Sequence, residues 1–597
     1  MSTKQSRSLK VKKFLADPIT IVTTVAVFLF LMLFVLYPLA ILLKDGFATK
    51  YKDYTFDSFV YIFKSFNFGK PIVTSVVIGL AVALGATLIG LLFAYVDVYV
   101  KVRSPIMRWL FKIVSFLPLV SPPFLVAIAI ILYFGDTGFI TQGLFHLNLN
   151  HQLYGYPGII IVEIITFFPT VYLMLSGLLK NVDPSLEEAA RDMGASRWKV
   201  FKDITLPLLA PGITNAFLVT FIESVADFAN PMIIGGSLET MSTAIYNMLN
   251  GGNTKNAPYY ASAMSLVLLG ISMTIFFVQK YVFERKTVST LTGKASRQRM
   301  LIEDKSVTIP LSTFCTIISL FVIVLYGTVI CCSFWVNLSD YSFTWDNWKT
   351  VFSSDGLGAL GATMETSLIA APITALLSMI IAYLVVKKRV PGRGLIEFLS
   401  MLAMAVPGTI LGVGFIRGFV KGLFHTGWMQ GLYGTIWIII IVFIVRSLPI
   451  GTRSATASLR QIDKSIEESA FDMGANSFKV FTSVTLPLVR DSFFASIVTS
   501  FVRSVTAISA VILLVTPEHK LITYVINEFA GKAAYPTASA YSTVLMLVSG
   551  TTIIAMNLVI KILTANRTPK DHPSKPAGGE KAKVEVVNEN QSQEVKA

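Results

Sequence analysis

Long apolar blocks alternate with short polar segments along the chain. Residues 19–43, ITIVTTVAVFLFLMLFVLYPLAILL, exceed the ~20 residues a helix needs to cross a ~30 Å hydrocarbon layer. Similar blocks occupy 72–98, 109–134, 157–179, 208–234 and 258–280, then 309–335, 366–386, 395–420, 433–455, 489–515 and 538–562. Backbone polar groups in lipid must be satisfied internally, so blocks of this length predict helices. The expected class is an all-α polytopic membrane protein with about twelve transmembrane helices.

Loop charge orients the pattern. Segment 135–156 holds no Lys or Arg and is expected outside. Segment 281–308, with Arg285, Lys286, Lys294, Arg297, Arg299 and Lys305, and the loop with Lys387, Lys388, Arg389 and Arg393, are expected in the cytoplasm, as are both termini. The first apolar block is too long for a cleaved signal and lacks a small-residue cleavage site.

Composition agrees. Of 597 residues 54% are hydrophobic and 14% charged, against about 25% charged in soluble proteins. The net charge of +15 sits in clusters between apolar blocks, with no basic and aromatic surface of the kind nucleic acid needs. Cys315, Cys331 and Cys332 share one apolar block without metal-ligand spacing and are expected as free, buried thiols. From Ala565 on, the chain is too polar to offset the entropy of ordering and is expected to be a disordered tail.

The chain repeats. LEEAARDMGASRWKVFKDITLPL (186–208) recurs as IEESAFDMGANSFKVFTSVTLPL (466–488), 280 residues on. YTFDSFVYIF (54–63) pairs with FTWDNWKTVF (343–352), TS at 74–75 with TS at 366–367, and LYG at 153–155 with LYG at 432–434. Six spans per half put both halves in the same orientation, a parallel repeat about an axis along the membrane normal. The expected domains are 1–18, 19–280, a linker 281–308, 309–564 and the tail 565–597.

The repeated segments read as helical elbows. Asp183 is an N-cap with Pro184 at the first helical position, Glu187 and Glu188 suit the positive helix end, and Gly194 stops the helix. A second short helix from Ser196 reaches Pro207. Asp463, Glu467, Glu468, Gly474 and Pro487 repeat the pattern. Leu186, Ala189, Ala190, Met193, Trp198, Phe201 and Ile204 recur at three- and four-residue spacing, a face that needs a groove on a partner or on the protein's own bundle.

The first copy resembles the EAA loop of ABC-importer permeases: Glu188, Ala189, Ala190, Gly194, Ile204, Leu206 and Pro207 fill every place. The second carries Glu468, Ser469, Ala470, Gly474, Leu486 and Pro487, departing at Ser469 and at Val484. The resemblance implies the ABC type I importer permease fold, and coupling of 183–207 and 463–487 to a separate ATPase subunit in two copies. It also implies an extracytoplasmic solute-binding protein and a place in the bacterial plasma membrane. No Gly-Lys pair here continues to Ser or Thr, so no phosphate-cradling loop is present in the sequence. No catalytic constellation, metal site or cofactor motif stands out, so the chain is not expected to be an enzyme.

Charges inside spans are costly and mark candidate path residues: Glu163, Glu223, Asp227, Asn230 and Arg503. Glu223, Asp227 and Asn230 fall on one face of a continuous helix, and Glu223 and Arg503 are symmetry-related opposite charges expected to meet near the pseudo-twofold axis as a latch, to form a static pair, or to find separate partners elsewhere. Arg446 and Arg453 are expected to snorkel toward the cytoplasmic surface. The two fused halves, a Thr-Gly-Lys after the sixth span and SLVLLGIS within it resemble the fused permeases of ferric-iron importers over about residues 15–565. Related permeases serve 2-aminoethylphosphonate, thiamine, sugar phosphates and polyamines. The buried acids lean toward a cation and the two arginines the other way. An ion-coupled secondary transporter would explain the spans and the repeat, but not the paired elbows.

Overall fold

The computed structural model describes residues 17–64, 66–136, 138–144, 146, 152–251, 255–283, 300–388, 390–420, 423 and 426–565. The expectations for residues 1–16, for linker residues 284–299 and for the tail from 566 lie outside these. The chain divides into two compact units, Met1–Ile553 and Ile554–Ala597; described residues of the second continue the last helix to Ala565. The side-chain contacts described below all lie within the first.

Among the described residues the secondary structure is helical apart from four isolated β-bridges. The first half runs α1 (Pro18–Gly46), α2 (Phe66–Tyr99), α3 (Pro105–Val120), α4 (Leu125–Phe134), α5 (Tyr156–Lys180), α6 (Pro184–Asp192), α7 (Arg197–Val225), α8 (Ala229–Ile234), α9 (Met241–Gly251) and α10 (Ala257–Val282). The second runs α11 (Lys305–Cys332), α12 (Ser354–Lys388), α13 (Arg393–Ala405), α14 (Gly408–Phe419), α15 (Ile436–Gln461), α16 (Lys464–Asp472), α17 (477–488), α18 (Arg490–Val505), α19 (Ile522–Gly531) and α20 (Tyr535–Ala565).

Among the described residues ten helical segments are long and apolar enough to cross a membrane, one of them Leu125–Gln142, which begins with α4, or eleven with α13–α14 taken as one bent span, where the sequence pattern predicts about twelve. The difference lies in helix breaks that hydropathy does not register. Block 109–134 breaks at Ser121-Pro122-Pro123, because proline lacks an N–H and crowds the carbonyl of the preceding turn. Block 395–420 breaks at Val406-Pro407, with α13 and α14 bent by 112°. Block 208–234 breaks after Val225, and Asp227 caps the next helix by accepting the N–H groups of Ala229 (3.2 Å) and Asn230 (3.3 Å). Block 489–515 is helical only to Val505 and continues in turns. Glu223, Asp227 and Asn230 therefore do not share one face of a continuous helix.

The register of the repeat also shifts. Ser75 accepts the N–H of Met241 at 2.8 Å, and Thr363 accepts that of Ile522 at 2.9 Å. Tyr95 packs edge-on against Phe201, and Tyr383 against Phe481. Ser75 thus corresponds to Thr363 and Tyr95 to Tyr383, a spacing of 288 residues rather than the 292 that aligns the Thr-Ser pairs.

Each half's first helix packs on the opposite half. In α1, Tyr37 donates its hydroxyl to the carbonyl of Gly418 (3.1 Å), and Tyr37 and Ile41 join a core with Phe415, Phe419 and Ile438. A side chain at Gly414 would run into Pro38, so the small residue sets this close crossing. Arg417 pairs with Asp45 at 2.5 Å and lies over the ring of Tyr259. Reciprocally, Tyr326 of α11 shares a hydrogen bond with Ser121 in the break of the first half, 2.5 Å away. Cys315 and Cys332 are buried free thiols, as expected, whereas Cys331 is exposed because it faces outward from α11.

The residues before these helices reach farther. Asp17, the N-cap of α1, accepts from Lys388 (3.0 Å) and from Ser477 at the start of α17, as well as from its own Thr20 hydroxyl (2.6 Å). Asp304, the N-cap of α11, pairs with Arg197 at the start of α7 (3.4 Å), and Glu303 with Lys101 (2.6 Å). Each N-cap aspartate thus ties the opposite half's second repeated helix. Burial by itself would raise the Asp17 carboxyl, but the hydroxyls of Ser477 and Thr20 and the Lys388 ammonium hold it well below its ordinary 3.8. A depressed carboxylate stabilises the fold fully above its unfolded value and loses that contribution as pH falls toward the folded one.

Asp17→Asn is expected to destabilise the solubilised protein at pH 7 by about 1 kcal/mol, small because the pair is partly open to solvent. Thermal unfolding should show the gap from wild type persisting to about pH 4 and narrowing only below it.

Candidate functional site: paired elbows and a central cavity

The two elbows are built alike, residue for residue. Asp183 and Asp463 cap α6 and α16, each accepting the N–H two residues on at 3.0 Å. Gly194 and Gly474 take φ of 87° and 85°, left-handed values that favour glycine. Beyond them the N–H groups of Ala195 and Ala475 close back on the carbonyls of Ala190 and Ala470, at 3.0 and 3.1 Å. Ser196 and Asn476 then cap the next helix through the N–H groups of Lys199 and Lys479. One wide π turn follows in each copy, Phe201–Thr205 and Phe481–Thr485, just before Pro207 and Pro487. The wide turn suits a proline, which has no N–H to give to the ordinary ladder.

A buried carboxylate clamps each elbow. Glu187 accepts the hydroxyls of Thr205 (2.8 Å) and Tyr99 (2.6 Å); Glu467 accepts that of Thr485 (2.9 Å). The residue of α12 corresponding to Tyr99 is Lys387, whose buried ammonium lies 3.8 Å from Glu467 and donates to the carbonyl of Ile462 at 3.0 Å. In both copies the end of the long second helix, the elbow and the start of the next helix thus meet at one glutamate. The motif match falls on Glu188 and Glu468. Their neighbours Glu187 and Glu467 are the buried ones, with Glu188 half-buried and Glu468 exposed. The paired threonines eighteen residues on were the available signal.

Around the clamp, the motif residues divide by exposure. Ala190 and Ala470 are buried, Ala189 and Ser469 are exposed, Leu206 and Leu486 are half-buried, and Pro207 and Pro487 are exposed. The exposure of Ser469 explains why serine is harmless there; its hydroxyl bonds the carbonyl of Ser465 at 2.8 Å. Large apolar side chains point away from the protein at matched positions: Leu186 with Ile466, Met193 with Met473 (both 83% exposed) and Trp198 with Phe478. Phe201, by contrast, turns inward against Tyr95. The apolar face read from the sequence is therefore two faces, one internal and one open.

The second feature is a cavity of about 330 Å³, lined from both halves. Four helix breaks converge on it, at Ser121 and Pro123, at Ala226 and Asp227, at Val406 to Gly408, and at Thr506 to Ser509. Irregular backbone at such depth is tolerated where it lines a cavity. Both members of three symmetry-related pairs line it: Thr166 and Arg446, Thr170 and Ile450, and Glu223 and Arg503. Glu223 lies within Coulombic reach of both arginines, yet no ion pair within 4 Å joins them among the described residues. Oε2 of Glu223, Nη1 of Arg446 and Nε of Arg503 have no hydrogen-bond partner.

Of the path candidates, the cavity thus brings together Glu223, Asp227 and Arg503. Glu163 and Asn230 are fully buried and are not among the lining residues; Glu163 accepts from Ser224, and Asn230 donates to Asp227 at 2.9 Å. Arg446 lines the cavity instead of snorkelling to a surface, a position that the helical register alone does not disclose.

Comparison with known proteins follows the repeat. The family model for the binding-protein-dependent transport system inner membrane component matches twice, at residues 86–288 and 374–570. The chain is 34% identical to the ferric transport system permease protein FbpB of Actinobacillus pleuropneumoniae over 576 residues, covering 95% of this chain and 81% of that one. It is 34% identical to the putative ferric transport system permease protein FbpB 1 of Haemophilus influenzae over 525 residues, covering 86% and 80%. A molybdenum transport system permease protein, ModB of Escherichia coli, is 30% identical over 206 residues, 34% of this chain and 90% of that one.

Glu187→Ala leaves two hydroxyls without their acceptor and is expected to cost about 1–3 kcal/mol. Glu467→Ala, which takes the counter-charge from the buried Lys387 and leaves it only the Ile462 carbonyl, is expected to cost more. Glu188→Ala and Glu468→Ala should stay within about 0.5 kcal/mol, because neither carboxylate is buried. Thermal unfolding of the solubilised variants checks the order.

Proposed function

Because the chain belongs to the binding-protein-dependent transport system inner membrane component family, we propose that it carries ferric iron across the bacterial plasma membrane, driven by ATPase subunits separate from it. An extracytoplasmic binding protein delivers the iron. The elbows 183–207 and 463–487 and both termini face the cytoplasm. Two elbows in one chain accept two ATPase copies, so a single chain completes the membrane part of the complex. The domain limits given by the sequence, 19–280 and 309–564 with a linker between, complete the reading.

The observation that carries the coupling role is the matched set of open apolar side chains, Leu186, Met193 and Trp198 with Ile466, Met473 and Phe478. Burying each in a partner's cleft contributes about 1.5–3 kcal/mol, enough to seat a short helix. The clamp at Glu187 or Glu467 makes the seated elbow move with the helix that follows. From Thr205 to Glu223, α7 spans about 27 Å at 1.5 Å per residue, joining the elbow to the cavity. Tilting it re-aims Glu223, and α17–α18 carries Arg503 in the same way. The iron assignment is supported by the two ferric permeases, each similar over more than four fifths of this chain.

The test is ATP hydrolysis by the reconstituted complex with its binding protein. Ferric-loaded binding protein is expected to stimulate hydrolysis, and proteoliposomes are expected to accumulate ⁵⁵Fe. Stimulation by a polyamine, a phosphonate or molybdate, with none by iron, would overturn the cargo. Uptake that collapses with a protonophore at constant ATP would overturn the ATP-driven class.

A further inference from the structure

The cavity is polarised. Its carboxylates, Glu223 and Asp227, come from the first half, and its guanidiniums, Arg446 and Arg503, from the second. Asp227 spends its oxygens on Ala229 and Asn230, leaving Glu223 as the carboxylate with an oxygen free. In the same lining, Nη1 of Arg446 and Nε of Arg503 are buried donors without acceptors. A buried donor left unmade costs free energy, and a guanidinium fork matches the geometry of an oxyanion.

If the cargo is ferric iron, a bare ion does not suit this cavity. Fe(III) is a hard trivalent cation that requires several anionic oxygen ligands. Among the described residues no three His, Cys, Asp or Glu side chains come together to supply them. Two guanidinium charges in the same wall would repel a naked trivalent ion across a few ångströms of low dielectric. An ion that brings its own oxyanion removes both difficulties: the metal end faces Glu223, and the oxyanion takes the free N–H groups of the arginines. The volume of about 330 Å³ holds roughly ten waters, room for such a complex.

We propose that Arg446 and Arg503 form an oxyanion subsite and that iron crosses as an oxyanion-ligated ferric complex. This rests on the ferric reading above and gives the transported species its chemical class. The electrostatic asymmetry arises from unlike residues at equivalent positions of the repeat: Thr166 against Arg446 and Glu223 against Arg503.

The test is double-label uptake into proteoliposomes holding the permease, its ATPase and ferric-loaded binding protein. One arm supplies ⁵⁵Fe(III) with [³²P]phosphate and the other ⁵⁵Fe(III) with [¹⁴C]citrate, which separates an inorganic oxyanion from a carboxylate chelate. In one arm the anion label is expected to enter with iron at a fixed ratio. Arg446→Gln and Arg503→Gln should each cut that joint uptake about tenfold to a hundredfold. Lysine at either position should regain part of it. Entry of iron with neither label would overturn the subsite and leave the ferric reading standing. Entry of an oxyanion without iron would keep the subsite and overturn the ferric reading. Glutamine variants with undiminished joint uptake would also overturn the subsite. So would lysine variants no better than glutamine in complexes that still copurify with the ATPase.

Discussion

A carboxylate buried at the bend of each elbow holds this architecture to its task. Glu187 and Glu467 are out of water and must be matched by donors, and those donors come from different helices. One is always the threonine at the wide turn opening the next long helix. The other partner comes from the end of the second helix, a phenol that donates in the first half and, in the second, an ammonium that pairs by charge from 3.8 Å. Rotating the elbow without its neighbours would strand buried polar groups. The lowest-cost motion is therefore one in which elbow and helices move together.

Around that constraint the halves interlock. Each first helix lies on the opposite half, and the residue capping it, Asp17 or Asp304, is tied to the other half's elbow. The two ties differ in quality. Asp17, Lys388 and Ser477 form a partly buried cluster, whereas Asp304 and Arg197 meet in the open. A parallel repeat of this kind makes equivalent scaffolds, and the unlike residues placed on them make a cavity that takes its carboxylates from one half and its guanidiniums from the other. Helix breaks at prolines and at Asp227 bring the backbone of both halves to that cavity.

Much of this was legible in the sequence, and the limits have physical causes. The elbows were readable because caps, a left-handed glycine and a proline after a fixed interval are local signals, and they occur twice. The open apolar face was readable only in part, since three- and four-residue spacing shows that a face exists but not which residues turn inward; Phe201 and Ala190 do, whereas Met193 and Trp198 do not. Hydropathy averaged over twenty residues ran through the breaks at Pro122, Asp227 and Pro407, because the flanking residues are apolar whether or not the helix continues. Glu223 and Arg503 were found by symmetry. Arg446 was assigned to a surface because its depth depends on where α15 sits in the bundle. The exchange of first helices is a long-range packing event that no local pattern encodes.

The proposed role of both elbows is to seat an external motor. Cysteines placed at Met193 and Met473, in a background lacking Cys315, Cys331 and Cys332, allow crosslinking in native membranes. Each position is expected to capture the same nucleotide-hydrolysing subunit, with a yield that changes when ATP is bound. Crosslinks formed only within the chain or to lipid, at both positions, would contradict it.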